Sequence, residues 1–133
     1  SNNVYSTNPA VIFSGNSARF VSQSLQWGRD TGVDAVLSNY PLLVSGGNIS
    51  YTSGGDAKYA PKGTRTFIAA KGSTVYIGAV LSATMAESAI VLKTLGMDNA
   101  LNLDQGGSTA LWSGGYKLGP GRSIPNAILF IRK

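Results

Sequence analysis

Apolar residues fall into short runs separated by glycine, proline and asparagine, a rhythm of strands and turns more than of helices. Ala10-Val11-Ile12-Phe13 is the first run, and Ser14-Gly15-Asn16 turns it. From Ala18 to Gly32 the side chains alternate, Phe20, Ser22, Ser24 and Gln26 against Val21, Gln23, Leu25 and Trp27, which predicts a strand ending at Gly28. Residues 33–37 and 42–44 are two further apolar runs, divided at Pro41, which cannot donate to a ladder and so marks a bend or an edge. Residues 48–63, rich in Gly, Ser, Asn and Lys, predict an exposed loop containing the sequon Asn48-Ile49-Ser50, which has meaning only in a eukaryotic secretory context. Residues 65–70 and 74–80 flank Lys71-Gly72-Ser73 and predict a hairpin.

Only one stretch carries helical periodicity. Thr84-Met85-Ala86-Glu87 has the form of a capping box. Met85, Ala89, Leu92 and Leu95 then share one face, Ile90 and Val91 widen it toward full coverage, and Gly96 stands where a left-handed residue ends a helix. Residues 100–103, 109–112, 116–118 and 127–132 read as closing strands, the last a terminal one. The pattern predicts an α+β domain, a mostly antiparallel or mixed sheet with one principal helix at about 84–96. Residues 1–9, polar and ending in Pro9, are expected to form an arm, and 10–133 a single domain.

Composition narrows the chemistry. With neither cysteine nor histidine among 133 residues, this chain excludes disulfides, thiol nucleophiles, histidine-based triads and Cys- or His-bound zinc. No cofactor is implied, and the pattern leaves any metal requirement open. The apolar runs fall far short of the ~20 residues that a membrane-spanning helix requires. A net charge of +5 favours an anionic partner. The basic residues are scattered, with no basic helix or aromatic stacking motif, so a phosphate-bearing small molecule or polymer fits better than nucleic acid. The oligomeric state is not legible.

The six acids are Asp30, Asp34, Asp56, Glu87, Asp98 and Asp104. Glu87 belongs to the helix cap, and four aspartates adjoin turn signals, where that residue is ordinary. Asp104 differs. It ends the apolar run Ala100-Leu101-Asn102-Leu103 and precedes Gln105-Gly106-Gly107-Ser108-Thr109, a glycine turn with hydroxyl donors. Such a corner serves either as a catalytic acid or nucleophile beside an anion-binding loop, or as a plain hairpin turn. Arg65 and Arg122 suit bidentate phosphate binding, against a reading as solvated strand ends. Asn126 is either a ligand-orienting amide or a turn cap. Trp27, Trp112 and Tyr116 read as core residues, with sugar stacking as the alternative. A second carboxylate, as two-acid glycosidases use, is not evident near Asp104.

The segment from Ala100 to Leu111 resembles the signature of the phosphodiester glycosidase family. The landmarks agree in order. Pro41–Gly47 resembles the family's P-x-L-V-x-x-G stretch, Thr64-Arg65-Thr66 its strand start, and Arg122-Ser123-Ile124-Pro125-Asn126-Ala127 its closing motif. The resemblance covers residues 33–130 or so, with Gln105 where the family commonly has glycine and without the family's N-G-G-F-F-like motif. It therefore implies the C-terminal part of such a domain. By that resemblance the activity is hydrolysis of a sugar-1-phosphodiester, such as an N-acetylglucosamine-1-phosphodiester, on a glycan or cell-envelope polymer. Asp104 is then catalytic, and Arg65, Gln105, Gly106, Gly107, Ser108, Thr109, Arg122 and Asn126 bind substrate. An extracellular or cell-envelope location follows from the same resemblance. The alternative is a non-catalytic module that binds anionic surface glycans.

Overall fold

The computed structural model describes residues 6–27, 32–124 and 126–132, so Gly28, Asp30 and Pro125 lie outside the described residues, as do residues 1–5 of the expected arm. Among the described residues, ten strands and one α-helix are formed. A five-stranded sheet runs in the order β5-β4-β8-β6-β7, from β4 (Leu42–Ser45), β5 (Asn48–Ile49), β6 (Gly63–Lys71), β7 (Thr74–Ala83) and β8 (Asn99–Asn102). A three-stranded sheet places β1 (Ala10–Ser14) between β2 (Ser17–Val21) and β3 (Ala35–Ser38). A small ribbon pairs β9 (Leu111–Trp112) with β10 (Tyr116–Leu118). Every pairing is antiparallel, and the expected α+β class is what the chain adopts. Among the described residues no helix is long and apolar enough to cross a membrane.

The inner strands β4, β6 and β8 of the large sheet are buried on both faces, and period-two alternation sorts their side chains between them. Phe67 and Ala69 of β6 and Ala100 of β8 face α1 (Met85–Thr94), joining Leu43, Val44, Met85, Ala89, Leu92 and Met97. Ile68 and Leu101 point the other way, toward Val11 and Leu42, with Phe13, Phe20 and Leu37 of the small sheet packed around them. Leu43 and Val44 share a face because β4 bulges there, Leu42 and Val44 opposing the adjacent residues Leu101 and Ala100. The core is thus three layers: helix, five-stranded sheet, three-stranded sheet.

The central hairpin forms as its sequence predicts, β6 pairing β7 from Lys71↔Thr74 through Arg65↔Val80. Gly78 opposes Phe67, and a Cβ there would meet the Phe67 ring tip at 3.0 Å, so the aromatic takes the space a side chain would fill. Thr84 caps α1 by accepting from the Glu87 amide at 3.1 Å, and Gly96 ends it with φ +81°. The Glu87 carboxylate, for its part, approaches Lys62 at 3.9 Å.

Three expectations are corrected. The strand predicted from Ala18 onward stops at Val21, and Ser24–Trp27 form a 3-10 turn. Buried Ser24 accounts for the change: its amide donates to Asn8 O at 2.6 Å and its hydroxyl to Ser6 O at 2.8 Å, anchoring Ser6–Asn8 instead of extending a ladder. Residues 126–132 form no strand. Leu129, Phe130 and Ile131 are exposed, only Ile128 reaches the core, and a strand without a neighbour cannot satisfy its backbone. The helix is covered on one side only. Met85, Ser88, Ala89 and Leu92 are buried, whereas Ile90, Val91 and Leu95 stand open to solvent on the far side.

Candidate active site

At the end of β6 that carries Gly63 and Arg65, the sheet opens into a cleft of about 140 Å³ lined by Asn39, Tyr40, Lys58, Tyr59, Asn102, Leu103, Asp104, Gln105, Ser108 and Arg122. A second cleft of about 150 Å³ lies at the other end of the strand, between the β1–β2 and β6–β7 turns. Its wall (Asn16, Ser17, Ala18, Ala70, Gly72, Ser73 and Val75) has no ionisable side chain, in contrast to the first cleft. There one carboxylate and two cations meet three amides and two phenols.

Asp104 reaches this cleft because β8 ends at Asn102 and the chain leaves the sheet there. The Leu103 amide donates to Thr66 O at 2.9 Å, and the Thr66 hydroxyl donates to the carbonyl of Asp104, which fixes the backbone on both sides of the acid. The carboxylate itself is exposed. Gly106–Ser108 close into a 3-10 turn, entered through Gly106 at φ +62°, a backbone state that glycine adopts freely. That turn buries Ser108 and Thr109 and leaves Gly106 and Gly107 at the surface outside the cleft wall.

Arg122 comes from the loop after β10. Its Nε donates to Ser108 Oγ at 2.8 Å, and its Nη2 donates to the same oxygen. The loop is fastened beside it, where the Gly121 amide donates to Gly107 O at 3.0 Å. Here the absence of a side chain matters, since a Cβ on Gly121 would stand 3.2 Å from Gly107 Cα.

Arg65 has a different position from its expected one. It is 3% exposed, and its guanidinium is taken up by protein acceptors. Nε donates to Ala83 O at 3.0 Å, Nη2 to Lys58 O at 3.1 Å and to Pro61 O, and Nη1 to Gln105 Oε1. A bulge presents the first of these carbonyls: Gly63 and Arg65 oppose Ala83 and Val80, one residue more on β7 than on β6, with Ser82 at φ +50°. Arg65 thus stands behind the cleft and ties the Lys58 turn, the β7 bulge and Gln105 together. Asn126 is exposed and outside the cleft wall. The cross-strand pair Trp112 and Tyr116 is about two-thirds exposed and away from the cleft, against the expectation of core packing.

The wall holds residues that the sequence did not single out. Asp56 caps the 3-10 turn Ala57–Tyr59 through the Lys58 amide at 3.0 Å, and that bond holds its carboxyl below the usual carboxylate range. The turn presents Lys58, whose Nζ lies 3.4 Å from Asp56 and 5.7 Å from the centre of the Tyr59 ring. Tyr40, Tyr51 and Tyr59 form an aromatic cluster with ring centres 6.0–6.4 Å apart. Burial pushes the phenols of Tyr51 and Tyr59 above their ordinary value. Asn102, 2% exposed, donates from Nδ2 to Tyr40 O at 2.9 Å, and Tyr59 Oη donates to the same carbonyl at 3.3 Å. A polar residue at the end of an inward-facing apolar strand was the available signal for Asn102. Among the described residues no cluster of acids forms that could hold a metal ion.

The chain matches the family model described as phosphodiester glycosidase over residues 2–131. A comparison with curated protein sequences found no match. The catalytic domain of zebrafish N-acetylglucosamine-1-phosphodiester alpha-N-acetylglucosaminidase, in a structure auto-inhibited by its pro-peptide, shares the fold with TM-score 0.67 and 17% identity, over 91% of this chain and 47% of that one. A hypothetical protein from Synechocystis superposes with TM-score 0.55 at 19% identity, over 84% of this chain and 31% of its own. The chain therefore spans about half the length, or less, of these two structures. The match over 2–131 nevertheless takes in both sheets, the helix and the cleft, and the chain belongs to the phosphodiester glycosidase family.

Proposed function

We propose that the cleft beside Asp104 hydrolyses a sugar-1-phosphodiester, such as an N-acetylglucosamine-1-phosphodiester, on a glycan or cell-envelope polymer outside the cell. The observation that supports this reading is one exposed carboxylate sharing a polar wall with Lys58 and Arg122. A sugar-1-phosphodiester needs little more than that. Its leaving group is a phosphate monoester, already anionic and stable once the bond from the anomeric carbon breaks, so no acid has to protonate it. This removes one of the two carboxylate roles that an ordinary glycosidase fills. Asp104 then acts on the anomeric carbon, either by direct attack or by taking a proton from the attacking water. Lys58 and Arg122 hold the phosphate and offset the charge it gains as it departs. Arg65 and Gln105 keep the wall in place, and the Tyr40 and Tyr59 rings offer an apolar flank to the sugar.

The test is turnover of a panel of sugar-1-phosphodiesters by the full-length protein and by Asp104→Asn. The expected result is a loss of roughly 10³-fold or more in kcat with binding retained. Undiminished activity in Asp104→Asn would remove the acid from the mechanism. A second reading has the single carboxylate in its favour: a module that binds anionic glycans without cleaving them. Saturable binding by the full-length protein with no product from any panel member would establish that reading instead.

A further inference from the structure

Asn102 has four polar atoms, and three of them are satisfied. Its backbone amide donates to Pro41 O at 3.0 Å, its carbonyl accepts from Asn39 Nδ2 at 3.0 Å, and its side-chain Nδ2 donates to Tyr40 O at 2.9 Å. Oδ1, the remaining polar atom, is buried and has no hydrogen-bond partner among the described residues. The amide cannot relieve this by turning over. A flip would set Oδ1 against Tyr40 O, a carbonyl that already accepts from Tyr59 Oη. Asn102, which lines the cleft, therefore carries a fixed acceptor that lacks a donor.

An acceptor of this kind is no use to phosphate, whose ester oxygens at neutral pH carry no proton to give. It would face the part of the ligand that has O–H or N–H groups. We infer that Asn102 is a specificity-determining residue of this cleft, its Oδ1 accepting a hydrogen bond from one hydroxyl of the sugar ring. The inference rests on the sugar-phosphate reading given above. It divides the wall in two: Lys58 and Arg122 take the anion, and the Asn102 amide reads the sugar. A buried polar group that goes unpaired with the wrong ligand discriminates far better than apolar contact does. A ligand without that donor is thus rejected for what it fails to supply.

The experiment measures binding of glucose-1-phosphate, N-acetylglucosamine-1-phosphate and their singly deoxygenated and singly fluorinated analogues to the full-length protein. Fluorine accepts weakly and donates nothing, so a hydroxyl that donates to Oδ1 is lost equally in both analogue series. One ring position is expected at which both substitutions weaken binding by roughly 10-fold or more. In Asn102→Ala that deficit is expected to disappear, parent and analogue binding alike. Should Asn102→Ala fail to fold, the wild-type series decides, together with ligand-induced movement of the Asn102 side-chain amide resonances. No such position in the wild type, or a deficit that survives in Asn102→Ala, would overturn the inference. Hydrolysis through Asp104 without position-selective loss would sink the role of Asn102 and leave the hydrolase reading standing. Selective loss without turnover would do the reverse.

Discussion

Arg65 and Arg122 are the same residue type at one site, one behind the cleft and one in its wall, and the fold holds them in opposite ways. Arg65 is buried and donates to three backbone carbonyls and the Gln105 amide oxygen. Arg122 is exposed, lines the cleft and turns two of its donors onto one serine hydroxyl, which leaves the rest of its fork for a ligand. A guanidinium with its donors committed inside the protein is a fastener. One held at a single point is, under the proposed function, a reader. The difference lies in which carbonyls the fold turns toward each residue, and the β7 bulge decides it for Arg65.

The sharpest way to break this contrast is Arg65→Met, which leaves buried carbonyls without donors. A loss on the order of 3 kcal/mol is expected. In thermal unfolding that is a fall in Tm of roughly 10 °C. Unchanged Tm with weakened ligand binding would make Arg65 a reader after all. Arg122→Ala should act the other way round, with kcat/KM down by roughly 10- to 100-fold and Tm nearly unmoved. Arg122→Lys, which keeps the charge but not the fork, should recover only part of that loss. Ser108→Ala frees Arg122 without removing it, and a few-fold rise in KM is expected. An equal loss in Ser108→Ala and Arg122→Ala would mean that the tether, more than the charge, is what the site uses.

The smallest expected effect is in alkali. Tyr51 and Tyr59, packed in front of Arg65, both have folded-state values raised above 10.0, chiefly by burial. The folded state thus holds their protons more tightly than the unfolded chain does. Their contribution to stability is complete below the ordinary phenol value and is lost as pH rises through the raised folded values. Ultraviolet titration should show two phenols ionising above the ordinary phenol value, with the Tyr40–Tyr51–Tyr59 cluster loosening as they do. Ionisation of Tyr51 and Tyr59 at the ordinary phenol value of about 10 would show that the cluster does not shield them.

What the sequence revealed depended on how far apart the interacting residues lie in it. The β6–β7 hairpin and α1 were legible because a turn, a Thr84 cap and Gly96 act within a few residues. The corner at Asp104 stood out because its apolar run and its glycines are contiguous. The rest of the wall was hidden. Tyr40, Lys58 and Asn102 come together only through the β4–β8 and β6–β8 registers and the loop after β5, none of which composition announces. The same limit produced the failed strand at 127–132, where the apolar pattern of Ile128–Ile131 met no ladder to join. It also explains Ile90 and Val91, since periodicity tells which side chains share a helix face but not whether a neighbour covers it.

The clasp between Gly107 and Gly121 sets a rule for how this corner tolerates change. The backbones touch closely enough that a side chain on Gly121 would press on Gly107, and everything from 109 to 120 is a closed excursion returning to its starting point. Arg122 is therefore positioned by the clasp and not by the length of what hangs from it. The β9–β10 ribbon can be lengthened at its Gly114-Gly115 tip with little entropic cost, each doubling of loop length amounting to only ~0.6 kcal/mol. A related chain with a long, unrelated hairpin here is expected to keep the same cleft, whereas a single methyl at Gly121 would shift the loop that carries Arg122. For anyone redesigning this scaffold, the hairpin tip is free ground and Gly121 beneath it is not.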